Sequence, residues 1–369
     1  MTNEEKKCIA QFEVHHTQLL NRAGELVGPL PGFATSYETL LALYRTMVQT
    51  RTFDSKAIAL QRTGKMGTYS SSMGQEAVAT GIGNAMRFDD VLLPTYREYA
   101  AQFQRGVAMS EILRYWGGDE RGMAYAEQPH DMPITVPIAT HVPQCAGIAY
   151  AMKLRKEARV AVCVLGDGAT SKGDFYEGIN LAGAWQLPMV VVVTNNHWAI
   201  SVPREVQTHA QTLAQKAIAA GIPGEQVDGN DVIAMRHVMS NAIEKARSGG
   251  GPTLVEAMTY RMHDHTTADD ASRYREQSVV DEHKLLDPID RLRKYLTANH
   301  DWDDDKEHAL HEACAAEVEN SVNSYLDTPP VPPETMFDHL YETLPDALQP
   351  QRDEVEQIGK QKKGGDHHG

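Results

Sequence analysis

Two short polar segments have the residue types and spacing of a metal and phosphate site. Gly166-Asp167-Gly168 and Asn195-Asn196 are separated by 26 residues, and each follows an apolar run. The Asp167 carboxylate and an Asn196 amide oxygen are hard ligands that suit Mg²⁺, and the backbone carbonyl near Trp198 could add a third oxygen. Because glycine lets the backbone approach a phosphate closely, the N–H groups of Gly168 and Ala169 could point at a diphosphate oxygen.

The elements around these segments predict a parallel α/β sheet. Residues 160–165 and 189–193 are continuous apolar runs, which suit strands buried on both faces, and a helical apolar face lies between them. The carboxyl ends of parallel strands share one edge, where ligands bind, so Asp167 and Asn196 are expected to converge there. The predicted fold is a doubly wound, mostly parallel sheet flanked by helices, with N- and C-terminal arms.

Three segments are expected along the chain. Residues 1–34 are mixed and predict an N-terminal arm, and residues 35–327 predict the domain that carries the metal and phosphate site. Four prolines open the segment 328–369 and predict a stiff linker followed by a C-terminal tail. Within the domain, Thr35 has capping-box spacing to Glu38 and starts the first predicted helix.

Composition excludes several classes of function. The formal net charge is −15, which repels nucleic-acid phosphates and disfavours a DNA or RNA partner. No apolar stretch of about 18 residues occurs, so no membrane span is expected. The four cysteines form no CxxC or His/Cys metal spacing, and the N-terminus is neither a secretory nor a transit signal, so a reduced cytoplasmic setting is predicted.

The GDG and NN segments resemble the thiamine-diphosphate motif, and the whole chain resembles the E1 α subunit of 2-oxo acid dehydrogenase complexes, closest to the bacterial pyruvate dehydrogenase type. A lone GDG is most often a tight turn, but here six segments of the family pattern occur in order. They are GQEAV at 74–78, PTYREY at 94–99, GDGATSKGDFYEGINLAGAW at 166–185, NNHWAIS at 195–201, AQKAIAAGIPGEQVDGND at 214–231 and YRMHDHTTADD at 260–270.

The resemblance implies roles for four further residues. Tyr96 and Arg97 match a pair that contacts the diphosphate, and Ile138 matches a hydrophobic residue that bends the cofactor between its rings. His265 matches the histidine near the thiazolium, which assists the reaction intermediate and the incoming lipoyl disulfide. Thr266 stands where kinase-regulated relatives carry serine, which puts phosphorylation control in doubt.

Other polar residues have weaker assignments. Four loop residues match the family pattern and could order the loop around the cofactor, although a solvated charge cluster would look the same: Arg261, Asp269, Arg273 and Tyr274. Tyr69 and residues 70–72 could line the substrate channel, and ordinary loop polarity explains them equally well.

The resemblance also implies an activity and partners. The cofactors would be thiamine diphosphate and Mg²⁺, and the reaction would be decarboxylation of a 2-oxo acid, with pyruvate favoured, followed by acyl transfer to the lipoyl domain of an E2 acyltransferase. No glutamate can be assigned to activate the aminopyrimidine, since Glu76 lies in the wrong segment. An E1 β subunit is therefore expected to supply it in an α2β2 heterotetramer.

Three alternatives stay open at this point. Branched-chain 2-oxo acid and acetoin dehydrogenase α subunits share the same motif plan. A nucleotide-binding dehydrogenase would need GxGxxG, but residues 169–171 after the GDG lack the third glycine. A non-catalytic partner subunit would have no reason to keep metal ligands and the loop histidine in register.

Overall fold

The computed structural model describes residues 6–365, with side chains in residues 6–360. The chain divides into two compact units, the first ending at Val322 and the second beginning at Asn323. None of the helices in the described residues is long and apolar enough to span a bilayer.

The first unit is built on a parallel sheet of six strands in the order β1-β7-β8-β4-β3-β2, and a separate antiparallel hairpin joins β5 and β6. The strands are β1 His15–Thr17, β2 Val91–Leu93, β3 Ala161–Gly166, β4 Met189–Asn195, β5 Trp198–Ala199, β6 Val202–Pro203, β7 Gly224–Asp228 and β8 Thr253–Met258.

Helices flank this sheet in the first unit, and the last helix, α13, lies in the second unit. They are α1 Tyr37–Arg62, α2 Glu76–Ala85, α3 Tyr99–Gln104, α4 Met109–Trp116, α5 His141–Arg155, α6 Gly173–Ala184, α7 Arg204–Gln207, α8 Lys216–Ala219, α9 Val232–Arg247, α10 Gln277–Lys284, α11 Pro288–Asn299, α12 Asp304–Leu326 and α13 Gln349–Gly365.

Alternation along β4 explains why its sequence is a continuous run of valine. Val190 and Val192 belong to a core formed with α1, α2 and α9. Val191 and Val193 face the opposite way, into a second core formed with α5 and α6. Because successive side chains of a strand point to opposite faces, a strand covered on both sides must be apolar throughout. The predicted doubly wound α/β fold is confirmed.

The register of the two central strands positions the polar segments. Gly166 at the end of β3 pairs with Thr194 near the end of β4, so the residues that follow leave the sheet side by side. Helix α6 returns the chain between these strands and packs closely on α5. A Cβ on Gly178 would lie 2.6 Å from Val142 Cγ1, so this crossing requires glycine.

The first helix begins one residue later than its sequence signal predicts. The cap is Ser36 rather than Thr35, because the Ser36 hydroxyl accepts a hydrogen bond from the Thr39 N–H at 3.2 Å. Helix α1 then runs to Arg62, two residues before Gly64, which has a positive φ of 72°.

Part of the expected N-terminal arm belongs to the sheet. Strand β1 pairs in parallel with β7 at the sheet edge. The following backbone is tied down by the buried Asp231 carboxylate, which accepts the N–H groups of Leu19 and Leu20 at 2.7 and 2.5 Å. The division into arm, domain and tail stays a prediction.

The second unit contains the short 3-10 turns Pro333–Phe337 and Asp346–Leu348 followed by α13. An ion pair of 3.5 Å joins Arg352 to Asp338 within it.

Candidate active site

A cavity of about 1000 Å³ opens at the carboxyl ends of β3 and β4. All of the residues assigned to the site from the sequence contribute to its wall: Tyr96, Arg97, Ile138, Asp167, Gly168, Ala169, Asn196, Trp198 and His265. They come from five separate stretches of chain. Their chemical roles stay predictions, and the geometry below describes what each can do.

Asp167 forms the anionic end of the cavity. It opens a 3-10 turn, Asp167–Ser171, directly after β3, and its side chain is buried. Burial raises the pKa of the Asp167 carboxyl to about 6, and the Gln207 amide donates a hydrogen bond to it at 3.3 Å. Backbone N–H groups and the Arg261 charge also stabilise the carboxylate, but burial outweighs them. Such a group fits a bound cation, because a nearby positive charge would offset the lost hydration.

The two asparagines at the end of β4 face different surroundings. The Asn195 amide donates to the buried Glu256 carboxylate at 2.8 Å and so belongs to the sheet interior. The Asn196 amide nitrogen donates to Gln75 Oε1 at 3.0 Å, and its oxygen accepts the Trp198 N–H at 3.1 Å. These two contacts fix which end of the Asn196 amide is oxygen.

Gln75 is a site residue that the sequence reasoning missed. It lines the cavity beside Asn196, and its Nε2 atom is buried without a hydrogen-bond partner in the described structure. An orphaned donor of this kind fits a ligand acceptor. The GQEAV segment was the available signal, but nothing in its composition indicates contact with the NN segment 120 residues later in the chain.

The two glycines of the GDG segment have different reasons to be glycine. A Cβ on Gly168 would lie 2.5 Å from the Ala199 Cβ, so close packing of the β5 hairpin excludes a side chain there. A Cβ on Gly166 would meet nothing within 4 Å, so its surroundings are open to a ligand. Packing against Ala199 is thus a second reason for glycine at position 168, and the approach of both glycines to a phosphate stays a prediction.

Two arginines form the cationic end of the cavity. Arg97 donates through Nη1 to the Ser71 carbonyl and through Nη2 to the His265 carbonyl at 2.6 Å. Arg261 is buried and donates to the Ile200 carbonyl at 2.7 Å. Burial, with Arg97 next, lowers the pKa of Arg261 to about 10. Two guanidinium groups crowded in this way fit an anionic ligand such as a diphosphate.

His265 lies between these arginines as a neutral imidazole. Its Nδ1 is 3.2 Å from Arg97 Nη2 and 3.4 Å from Arg261 Nη1. Burial, Arg97 and Arg261 lower the pKa of His265 to about 4. Because guanidinium groups only donate, Nδ1 must accept and the proton resides on Nε2. The imidazole can therefore offer a hydrogen-bond donor to a ligand near neutral pH.

Three of the four loop residues flagged in the sequence hold His265 in place. The His265 N–H donates to Asp269 Oδ2 at 2.8 Å, and the Tyr274 hydroxyl donates to the same carboxylate. Arg261 in turn donates to the Tyr274 oxygen at 2.8 Å. Arg273 is exposed in the turn that follows.

The cavity wall is partly aromatic and aliphatic. The Tyr96 ring meets the His265 ring edge-on, with centroids 6.0 Å apart. Ile138 is 44% exposed and precedes Ala139, whose φ is 67°. A large aliphatic side chain left this open suits contact with an apolar part of a ligand or partner.

The channel residues proposed from the sequence separate into two groups. Ser70 lines the cavity, whereas Tyr69, Ser71 and Ser72 are buried behind it. His263 also lies outside the cavity lining and is 3.8 Å from Asp264. Among the described residues, no group of three or more His, Cys, Asp or Glu side chains could hold a metal ion. A metal here would therefore need amide, carbonyl and ligand oxygens beside Asp167.

The fold and this cavity define an α/β enzyme whose ligand site lies where parallel strands end. The profile of the family "Dehydrogenase E1 component" matches residues 44–334. The chain belongs to this family, as an α subunit of the 2-oxo acid dehydrogenase type.

Relatives over most of the chain carry α-subunit names. The chain is 40% identical over 321 residues to the pyruvate dehydrogenase E1 component subunit alpha of Acholeplasma laidlawii, covering 86% of this chain and 92% of the relative. It is 37% identical over 340 residues to the protein of the same name from Staphylococcus aureus, covering 92% and 91%. It is also 41% identical over 319 residues to the 3-methyl-2-oxobutanoate dehydrogenase subunit alpha of Mycobacterium tuberculosis, covering 86% and 87%.

Proposed function

We propose that this chain is the α subunit of a thiamine-diphosphate-dependent enzyme that oxidatively decarboxylates pyruvate and transfers the acyl group to lipoyl-E2. Family membership supports the use of thiamine diphosphate and the decarboxylation of a 2-oxo acid. The observation that carries the proposal is the cavity itself, whose lining combines Asp167 and Asn196 with Arg97 and His265.

The residues present fit the cofactor's charged end. Asp167, the Asn196 amide oxygen and the Trp198 backbone carbonyl would hold Mg²⁺, with the N–H groups of Gly168 and Ala169 available to diphosphate oxygens. Tyr96 and Arg97 would bind the diphosphate, and Ile138 would support the bend between the two rings. The assignment of Mg²⁺ follows from the hard oxygen character of these ligands.

The bound cofactor supplies an electron sink for the carbanion that decarboxylation leaves. The protein supplies position and protons. His265 is held neutral with its proton on Nε2, so it can donate a hydrogen bond to an oxygen that gains negative charge. Burial, Arg97 and Arg261 lower the pKa of His265 and so keep the imidazole neutral, with Nδ1 turned toward the arginines and Nε2 left to donate.

Among the described residues, the cavity lining offers no glutamate that is free for the aminopyrimidine. Glu98 lines the cavity, but its carboxylate accepts the Thr95 N–H and hydroxyl, both at 2.7 Å. Glu76 is paired with Arg51 at 2.7 Å and accepts the Gly74 N–H. These engagements support a shared site in which an E1 β subunit supplies the glutamate within an α2β2 assembly.

The test is reconstitution. The purified α chain should show no decarboxylase turnover with pyruvate, thiamine diphosphate and Mg²⁺, and addition of its β partner should restore turnover and acylation of a lipoyl domain. A matched mixture with an Asp167→Asn α chain controls for activity that belongs to the β preparation. Full turnover by α alone would refute the shared site.

A branched-chain 2-oxo acid is the second candidate substrate, because the M. tuberculosis relative with that printed name is 41% identical. The reconstituted complex should be assayed with pyruvate, 2-oxoisovalerate and acetoin, and kcat/KM should be highest for pyruvate. A higher value for 2-oxoisovalerate would transfer the assignment to the branched-chain class.

A rise in melting temperature with thiamine diphosphate and Mg²⁺, and none with NAD, would argue against a nucleotide-binding dehydrogenase and a non-catalytic partner. The proposed location is the cytoplasm.

A further inference from the structure

Loop 69–72 is tied to a buried carboxylate that lies outside the cavity lining. Asp54 on α1 is fully buried and accepts hydrogen bonds from the Tyr69 hydroxyl at 2.7 Å, the Ser72 N–H at 2.9 Å and the Ser71 hydroxyl. All three donors are neutral. Burying a carboxylate among neutral groups is costly, and its hydrogen bonds therefore hold the donors firmly in place.

The same loop contacts both sides of the cationic end of the cavity. The Ser71 carbonyl accepts from Arg97 Nη1. Tyr69 exchanges two hydrogen bonds with Thr267, whose hydroxyl accepts the Tyr69 N–H at 3.0 Å and whose N–H donates to the Tyr69 carbonyl at 2.9 Å. The loop is thus a bridge between Arg97 and the segment just after His265.

A direct contact also joins Arg97 to the histidine loop. Arg97 Nη2 donates to the His265 carbonyl at 2.6 Å, so the guanidinium and the histidine loop are fixed to each other as well as to loop 69–72. Loop 69–72 is in turn held by its three hydrogen bonds to Asp54.

We propose that Asp54 is a positioning residue of the active site, which acts by fixing loop 69–72 and, through it, Arg97 and His265. The proposal rests on the proposed function for the roles of Arg97 and His265. Removal of the Asp54 anchor is expected to release loop 69–72, which accepts from Arg97 through the Ser71 carbonyl and pairs with Thr267 next to the histidine loop. Arg97 and the histidine loop would each lose one attachment and become more mobile.

Asp231 provides a matched control. It is also a buried carboxylate outside the cavity lining, and it also accepts several N–H groups, those of Leu19, Leu20, Ile233 and Ala234. None of these donors belongs to the loop that contacts Arg97 and Thr267. Loss of either carboxylate should lower stability, whereas only the loss of Asp54 should alter the cavity.

The experiment compares Asp54→Asn, Tyr69→Phe and Asp231→Asn in the full chain purified with its β partner and without cofactor. Hydrogen exchange of residues 265–274 should accelerate about tenfold in Asp54→Asn and less in Tyr69→Phe, as expected when hydrogen bonds that close a loop are lost. Tyr69→Phe keeps the ring that stacks on Tyr99 with centroids 5.5 Å apart, so it tests the same link if Asp54→Asn does not fold.

A second readout follows the charge around His265. The pH dependence of its carbethoxylation, located by mass spectrometry, should report a pKa near 4 in the wild type and one closer to the ordinary 6.5 in Asp54→Asn, because a mobile loop exposes the imidazole to water and holds it less firmly beside Arg97. The charged groups facing this imidazole are Arg97, Arg261 and Asp269. In Asp231→Asn the wild-type value should persist.

The outcomes separate the two proposals. Wild-type exchange and carbethoxylation in folded Asp54→Asn and Tyr69→Phe would overturn the positioning role, since a purely structural anchor predicts only a lower melting temperature. Failure of the wild-type complex to bind thiamine diphosphate would overturn the proposed function instead, and the cofactor-free measurements would still decide the role of Asp54.

Discussion

Two parts of the cavity wall are positioned in different ways: the strand end, with Asp167 and Asn196, and the loop end, with Arg97 and His265. Asp167 and Asn196 each follow a buried parallel strand, and the β3–β4 register alone brings the two strand ends together. Arg97 and His265 are 168 residues apart and are joined by side-chain contacts to carbonyl groups of loops. The strand end therefore takes its geometry from backbone pairing, whereas the loop end depends on a few hydrogen bonds.

This difference predicts which part of the site keeps its geometry when a residue is substituted. Sheet positions in a core covered on both faces resist displacement because interiors are close-packed. A loop held by a few side-chain contacts can open locally at much lower cost. Substitutions at the strand end should therefore change binding without disturbing shape, and substitutions at the loop end should change order as well as chemistry.

The largest expected effect is at Asp167. Asp167→Asn should weaken the Mg²⁺-dependent binding of thiamine diphosphate more than about hundredfold, since changes even outside the direct ligands cost 10–100-fold. Calorimetry on the αβ complex measures this. Asp174→Asn, in the same segment but outside the lining residues, is the control and should bind normally. A dissociation constant within twofold of the wild type would remove Asp167 from the metal site.

The same carboxylate should make the cofactor-free fold sensitive to pH. Its pKa rises from 3.8 to about 6 on folding, so the folded state binds the proton more tightly and the associated stability, present below pH 4, is lost as pH rises through 6. At about 1.4 kcal/mol per pH unit, the ionised group costs about 3 kcal/mol. In chelator at pH 7.5, Asp167→Asn should therefore be more stable than the wild type to urea, and the advantage should vanish near pH 4. Equal stability at pH 7.5 would contradict this.

At the loop end, His265 should matter for turnover more than for binding. His265→Gln should lower kcat for acyl transfer to a lipoyl domain about hundredfold, which is typical of a lost proton donor. The affinity for thiamine diphosphate should stay close to the wild-type value. His263→Gln is the matched control outside the cavity lining. A similar loss of kcat in both variants would point to the loop as a whole rather than to the His265 imidazole.

A smaller effect is expected at Arg97. Arg97→Ala should weaken thiamine diphosphate binding about tenfold through the loss of an ionic contact to phosphate, and Arg97→Lys should recover part of it because lysine offers a single point charge. Arg273→Ala, on the exposed side of the loop, serves as control. Equal affinity in Arg97→Ala and the wild type would place the diphosphate elsewhere in the cavity.

The smallest effect is expected at Tyr274, whose hydroxyl links Arg261 to Asp269. Tyr274→Phe should destabilise the histidine loop locally by about 1 kcal/mol, the usual worth of such hydrogen bonds. Faster hydrogen exchange confined to residues 265–274 would show it. Tyr176→Phe, on the exposed face of α6, should leave exchange in this loop unchanged.

Strands and strand-end residues were predictable because their signals are local. The valine run of β4 predicts a strand buried on both faces. An aspartate or asparagine directly after such a run lies at the edge of the sheet where the carboxyl ends of the strands meet. The start of α1 shows the limit of such signals. Both Thr35 and Ser36 are residue types that can cap a helix, and the backbone conformation of the folded chain makes Ser36 the cap.

Contacts between distant segments could not be predicted in this way. No pattern in the sequence pairs Gln75 with Asn196, or Asp54 with Tyr69 and the loop that contacts Arg97. These pairings depend on how helices pack on the sheet, which residue types and spacing leave undetermined.

The sequence by itself determined the parallel α/β class, the strand ends that carry Asp167 and Asn196, and the family, because hydrophobic runs and ordered motifs are properties of the linear chain. Only the tertiary structure decided that Gly168 is required by Ala199, that Asp167 is buried enough to hold its proton up to about pH 6, and that His265 is neutral between two arginines. The physical reason is that burial and the proximity of charges arise from packing between segments far apart in sequence.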